Sequence, residues 1–257
     1  MREIGIYVHI PFCKQKCYYC DFKSYANKEE LIEKYIKWLK YEIKEVGEGN
    51  KLDYENDLDE LVTVKTIYIG GGTPSYLDSK YIKEIIEEIR ENFKLADKVE
   101  ITIEVNPGTV NKTKLLDYIN SGINRISIGL QSTDNELLKR IGRIHKYEDF
   151  LQTYNMAREV GFKNINVDLI YAIPGQTKEE LEEDIDKFLD MNDDWDLKPK
   201  DYYDVFSKMC LKYSDSSIVP YSLCQELITG EYPCEEYYMQ MLMDVYSYYN
   251  IGEDFLD

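Results

Sequence analysis

The chain lacks any apolar run near the ~18 residues that a membrane-spanning helix needs, so no integral membrane segment is expected. It also lacks a recognisable export signal. The opening Met-Arg-Glu-Ile-Gly-Ile-Tyr-Val-His-Ile-Pro has a short apolar stretch and no small-residue cleavage site. The expected location is therefore the reducing cytoplasm, where clustered cysteines read as metal ligands or catalytic groups rather than disulfides. Positive charge is scarce as well: 31 Lys and Arg face 49 Asp and Glu, a net charge of −18. Nucleic acid and anionic membranes repel such a surface, which argues against either as the main partner. Solubility is the plain reading of the excess. Apolar residues are not scarce: at 44% apolar and 13% aromatic, these 257 residues are not a disordered chain. They suffice for one α/β barrel-like domain or two smaller ones.

Strand-like and helix-like stretches alternate. Ile4–Ile10, Val64–Ile69, Val99–Val105, Ile123–Leu130 and Ile165–Ile170 are rich in β-branched residues. Between and after them, Glu29–Val46, Ser79–Phe93, Thr113–Ser121, Tyr147–Gly161 and Lys178–Asp190 read as helices, with apolar residues three and four apart. A sixth pair is read at Ile218–Leu223 and Glu235–Tyr249. Such alternation predicts parallel strands with right-handed crossovers, and chemistry at the carboxyl ends of the strands. The unusual residues fall there: Cys13, Gly70-Gly71-Gly72, Glu104, Gln131 and Asp168. Residues 191–216 break the rhythm and are too long for an ordinary connection. The expectation there is an irregular acidic insertion.

The strongest chemical signal is Cys13-Lys-Gln-Lys-Cys17-Tyr-Tyr-Cys20. Structural zinc sites usually take four ligands in two separated pairs, and no fourth Cys or His lies close downstream. Three thiolates on a four-iron cluster would leave one iron open to a substrate. A zinc site completed by a distant ligand, or three ordinary thiols, are the plainer alternatives. Cys210, Cys224 and Cys234 form no close pair and read as buried or free thiols. His9 reads as a strand-end structural residue, and His145 as structural or as a haem ligand.

The Cys-x3-Cys-x2-Cys spacing resembles that of the radical S-adenosylmethionine (SAM) enzymes. Its setting, Tyr7-Val-His-Ile-Pro-Phe-Cys13, is similar to one branch of them, the oxygen-independent coproporphyrinogen III oxidases and the HemW-type haem chaperones. Further matches follow in order: Gly70-Gly-Gly-Thr-Pro74, Ile103-Glu-Val-Asn-Pro107, Asn124-Arg-Ile-Ser-Ile-Gly-Leu-Gln131, Gly142-Arg-Ile-His145 and Asn166-Val-Asp-Leu-Ile-Tyr-Ala-Ile-Pro-Gly-Gln-Thr177. The resemblance implies a partial (β/α)6 TIM-like barrel. Its core would span residues 1–190, with a last strand–helix unit of the same barrel at 217–257. It implies that Cys13, Cys17 and Cys20 ligate a [4Fe-4S] cluster whose open iron is chelated by SAM. Tyr7, Tyr19, Gly71, Gly72, Thr73, Glu104, Gln131, Arg143 and Asp168 would then contact SAM. Reductive cleavage would give methionine and a 5′-deoxyadenosyl radical, with electrons from a donor such as flavodoxin or ferredoxin. Each contact also has an ordinary alternative, such as a Gly-rich turn without a ligand, a loop glutamine or a surface arginine.

Two departures matter. The oxidases carry a further Cys after the third cluster ligand, whereas Cys20-Asp-Phe resembles the HemW-type branch, with haem or a tetrapyrrole as a further ligand. The sequence stops at Asp257 without the His-Asn-x-x-Tyr-Trp segment of that branch, so most of the family's C-terminal domain is expected to be missing. A non-catalytic barrel remnant or a zinc-binding protein remains the alternative of another class.

Overall fold

The computed structural model describes residues 2–49, 62–190 and 242–244. Five long strands lie side by side in the order β1 (Arg2–Ile10), β4 (Val62–Gly71), β5 (Leu95–Val105), β6 (Arg125–Gln131) and β7 (Asn164–Ile170). The pairs β1–β4, β4–β5 and β5–β6 are parallel, with Tyr7 opposite Tyr68, Tyr68 opposite Thr102, and Thr102 opposite Arg125. Between consecutive long strands the chain turns into helix: α1 (Ile32–Gly47), α2 (Ser79–Asn92), α3 (Lys112–Asn120) and α5 (Tyr147–Val160). Two-residue strands β2 (Phe12–Cys13) and β3 (Tyr25–Ala26) pair with each other and fold the cysteine loop back on itself.

The sequence accounts for these elements. Along the strands, Val8, Ile10, Ile67, Ile69, Ile101, Ile103, Ile126 and Ile128 alternate with polar residues and are buried. One sheet face is therefore a continuous apolar layer. In α2, Ile82, Ile85, Ile86 and Ile89 form one stripe and are all fully buried. The Asp78 carboxylate accepts from the backbone N–H of Lys80 at the start of α2, and Asn111 caps α3 on Lys114 N–H. Helix α5 ends at Gly161, whose φ of 110° suits the left-handed terminus.

The chain divides into two compact units, Met1–Leu130 with Gly142–Asp168 and Asp244–Asp257, and Gln131–Ile141 with Leu169–Met243. The second contains α4 (Asn135–Arg140) and α6 (Lys178–Asp190). In it the buried Asp184 carboxylate accepts from Ser132 Oγ, from the N–H and hydroxyl of Thr133 and from Gln176 Nε2. This ties α6 to the residues that follow β6.

The structure differs from the sequence expectation in several places. The residues before α1 form a 3-10 turn, Glu29–Leu31, so the helix starts three residues later than expected. Helix α4 was not expected. Leu242–Asp244 is a strand, β8, where the spacing predicts helix from Glu235 to Tyr249. Short apolar runs satisfy both periods, and periodicity alone cannot separate them. The acidic stretch 191–216, the strand expected at Ile218–Leu223 and Cys210, Cys224 and Cys234 lie outside the described residues.

Candidate cofactor site

Opposite the apolar layer the sheet carries a polar face. In parallel pairs, residues in register share a face. One row therefore runs Tyr7, Tyr68, Thr102, Arg125, and two residues further along each strand a second runs His9, Gly70, Glu104, Ser127. Asn166 and Asp168 extend it on β7. The Asp168 carboxylate accepts from Ser127 Oγ at 3.1 Å and from Asn166 Nδ2 at 2.7 Å. Asn166 is buried, and its amide oxygen has no partner among the described residues. A buried, unpaired acceptor beside a carboxylate is costly unless a donor-bearing ligand meets it.

Glu104 is the centre of the face. Tyr68 Oη donates to Oε1 and Gly71 N–H to Oε2, each at 3.0 Å. Burial pushes its carboxyl above the usual carboxylate range, while those two donors and His9 act the other way. Burial beside Glu104 likewise pushes the Tyr68 phenol up. His9 links the face to the cysteine loop. Its Nε2 donates to the Lys23 carbonyl at 2.8 Å, and its Nδ1 lies 3.0 Å from Tyr7 Oη.

The glycines at the end of β4 are required by the protein itself. Gly71 has φ 117°, and a Cβ there would lie 2.7 Å from the His9 ring. A Cβ on Gly72 would lie 2.9 Å from Cys13 Sγ. The strip is fixed by Gly72 N–H on the Ile10 carbonyl and Thr73 N–H on the Phe12 carbonyl, both at 2.8 Å. Backbone is thereby laid directly beside the cysteine loop.

The cysteines join this face through a chain of side chains. Thr73 Oγ1 donates to Cys13 Sγ at 3.5 Å, and Asn106 Nδ2 donates to Thr73 Oγ1 at 2.9 Å. Asn106 Oδ1 accepts from Arg143 Nη2 at 2.9 Å, and Arg143 Nη1 points to Cys17 Sγ at 3.7 Å and to Tyr19 Oη at 3.5 Å. Two of the three sulfurs are thus tied through Thr73, Asn106 and Arg143. Cys20 Sγ lies 3.9 Å from Ser24 Oγ. All three are free thiols. Burial pushes the Cys13 thiol up, and Cys17 and Cys20 add to it, so the sulfurs share one electrostatic neighbourhood. Yet among the described residues no three His, Cys, Asp or Glu side chains converge as a single-ion site requires.

Of the sequence-predicted residues, Tyr7, Cys13, Cys17, Tyr19, Cys20, Gly71, Gly72, Thr73, Glu104, Arg143 and Asp168 all lie in the first unit. Gln131 belongs to the second. It is buried with φ 76°, and its amide oxygen has no partner among the described residues. A non-glycine residue in the left-handed region is a common mark of a functional position. Tyr68, Asn106, Ser127 and Asn166 were missed. For Tyr68, Ser127 and Asn166 the available signal was the strand period of two: each stands two residues from Gly70, Arg125 or Asp168 on the same face, while Asn106 directly follows β5. His145 differs from one of the two roles read for it. Its Nε2 faces the Leu130 carbonyl at 3.1 Å and its Nδ1 accepts from Arg143 Nε at 3.3 Å, so neither nitrogen is free for haem iron.

Comparison with known proteins matches residues 7–188 to the radical SAM superfamily. The chain is 40% identical over 193 residues to the haem chaperone HemW of Escherichia coli, covering 75% of this chain and 49% of that protein. It is 35% identical over 203 residues to HemW of Bacillus subtilis, covering 78% and 49%. Among solved structures, the radical SAM enzyme coproporphyrinogen III oxidase (HemN) of Escherichia coli superposes with a TM-score of 0.66 at 31% identity, over 74% of this chain and 42% of that one. The chain thus spans about half the length of the curated HemW relatives it matches. The α/β fold with a parallel sheet is that of the radical SAM partial barrel. This chain belongs to the radical SAM superfamily, and its similarity runs to the HemW-type branch of the coproporphyrinogen-oxidase-like proteins.

Proposed function

We propose that Cys13, Cys17 and Cys20 hold a [4Fe-4S] cluster, that SAM lies along the adjoining polar face, and that the protein serves a HemW-like role toward haem or a related tetrapyrrole. The observation that carries this reading is the chain of contacts from Cys13 through Thr73, Asn106 and Arg143 to Cys17. It ties two of the three thiols to the carboxyl end of the sheet. Bound there, the cluster supplies the electron for reductive cleavage of SAM.

The chain's own residues bind and orient. The backbone at Gly71, Gly72 and Thr73 offers close approach to an amino-acid moiety. Glu104 accepts from an ammonium or hydroxyl group, and Asp168, held by Ser127 and Asn166, from hydroxyls. Asn166 offers an amide oxygen without a partner among the described residues. Arg143 stands as a fixed cation beside Cys17, and the rings of Tyr7 and Tyr19 supply apolar cover. A one-electron donor such as flavodoxin or ferredoxin completes the system. The tetrapyrrole part rests on the relatives named as haem chaperones at 35% to 40% identity.

Anaerobic reconstitution of the full chain should give iron and acid-labile sulfide in equal amounts, and Cys17→Ala should lose most of both. Haemin titration of the same sample should produce a saturable Soret shift. Zinc in place of iron would overturn the cluster reading, and a linear, non-saturating haemin response the tetrapyrrole reading.

A further inference from the structure

We infer that His145 is a positioning residue, locked in one neutral tautomer, that holds Arg143 against Cys17. This rests on reading the site as a cluster and SAM site. A carbonyl oxygen only accepts, so the 3.1 Å contact to Leu130 requires the proton on Nε2. Nδ1 is then a lone pair, and it takes the Arg143 Nε–H at 3.3 Å. The guanidinium is engaged on every nitrogen. Nη2 donates to Asn106 Oδ1 at 2.9 Å and to the Gly129 carbonyl at 2.7 Å, while Nη1 reaches Tyr19 Oη and Cys17 Sγ.

The two Nη2 bonds pin one corner of the fork to the strand ends. The His145 bond pins the stem, so the remaining corner is directed at the sulfur. Without that acceptor the planar fork can pivot about Nη2 and move Nη1 away from Cys17. The ring must stay neutral, because a second proton on Nδ1 would oppose the Arg143 N–H. Burial and the Arg143 charge both keep it neutral, against weaker opposite effects of the Leu130 carbonyl and Asp149.

Two amide substitutions separate positioning from packing. His145→Asn puts an oxygen near the place of Nδ1 and keeps an acceptor for Arg143. His145→Gln puts an amide near the place of Nε2 and keeps the Leu130 bond but not the Arg143 one. On the 15N-histidine-labelled full chain, without cluster, two-bond spectra at pH 7 should show a protonated Nε2 and a pyridine-like Nδ1 for His145. The opposite tautomer, or an average of the two, overturns the inference.

On reconstituted protein, His145→Asn should keep the wild-type cluster potential and SAM affinity. His145→Gln should shift the potential negative and weaken SAM about tenfold, the worth of one charge-assisted hydrogen bond. Equal loss in both variants, or none in His145→Gln, overturns the inference. A wild type that takes up no cluster defeats the functional reading instead, and the tautomer then decides this one alone.

Discussion

At Gly71 the backbone and its neighbours leave no room for a methyl group. Its φ of 117° strains any L side chain, and His9 would be 2.7 Å from the new Cβ. Gly71→Ala should therefore destabilise the protein by about 1–3 kcal/mol. Gly108→Ala, at φ 75° with open space around it, should cost only about 1 kcal/mol. Urea midpoints of the two variants check this. His145 makes a second prediction. Its pKa is lowered from 6.5 to about 3, so the unfolded chain binds a proton that the folded chain refuses. Stability from this group is complete above the unfolded pKa and falls as pH drops toward the folded one. The slope approaches about 1.4 kcal/mol per pH unit inside that window. Urea titrations of the cluster-free chain between pH 7 and pH 4 should show a steeper loss for wild type than for His145→Asn. The cysteines, glycines and acids of the site were legible because their types are rare and their spacing is fixed. Tyr68, Asn106, Ser127 and Asn166 were not, because such residues are common, and only strand register marks Tyr68, Ser127 and Asn166.

Among the elements, α2 shows how far pattern alone reaches. Its four isoleucines at helical spacing are all fully buried, as the sequence requires. Ile86→Ala should cost about 2–5 kcal/mol, whereas Lys83→Ala, on the exposed side in an i,i+4 pair, should change stability by less than about 0.5 kcal/mol. Thermal melts of both variants test the contrast. The small elements were harder to read. Strands β2 and β3 have two residues each and exist because the cysteine loop returns to pair Phe12 with Tyr25. No local period announces such a contact. Helix α4 is six residues long, and its one sequence signal was the Asp134 cap, whose carboxylate accepts from the N–H groups of Glu136 and Leu137.

At the scale of the whole molecule, the succession of strands and helices was legible through α6, because each unit carries its own period and the units repeat. Beyond it residues 191–216 offered no clean period, and the three-residue strand at Leu242–Asp244 fell inside the helix expected at Glu235–Tyr249. No described helix is long and apolar enough to cross a membrane. The matched region is the one that carries every proposed ligand of cluster and SAM. Radical SAM chemistry can therefore be tested on this chain directly. The decisive measurement is 5′-deoxyadenosine formation by the anaerobically reconstituted chain after addition of reductant and SAM. The predicted result is product from wild type and none from Cys17→Ala. A wild-type chain that carries the cluster, binds SAM and yields no 5′-deoxyadenosine would contradict the account.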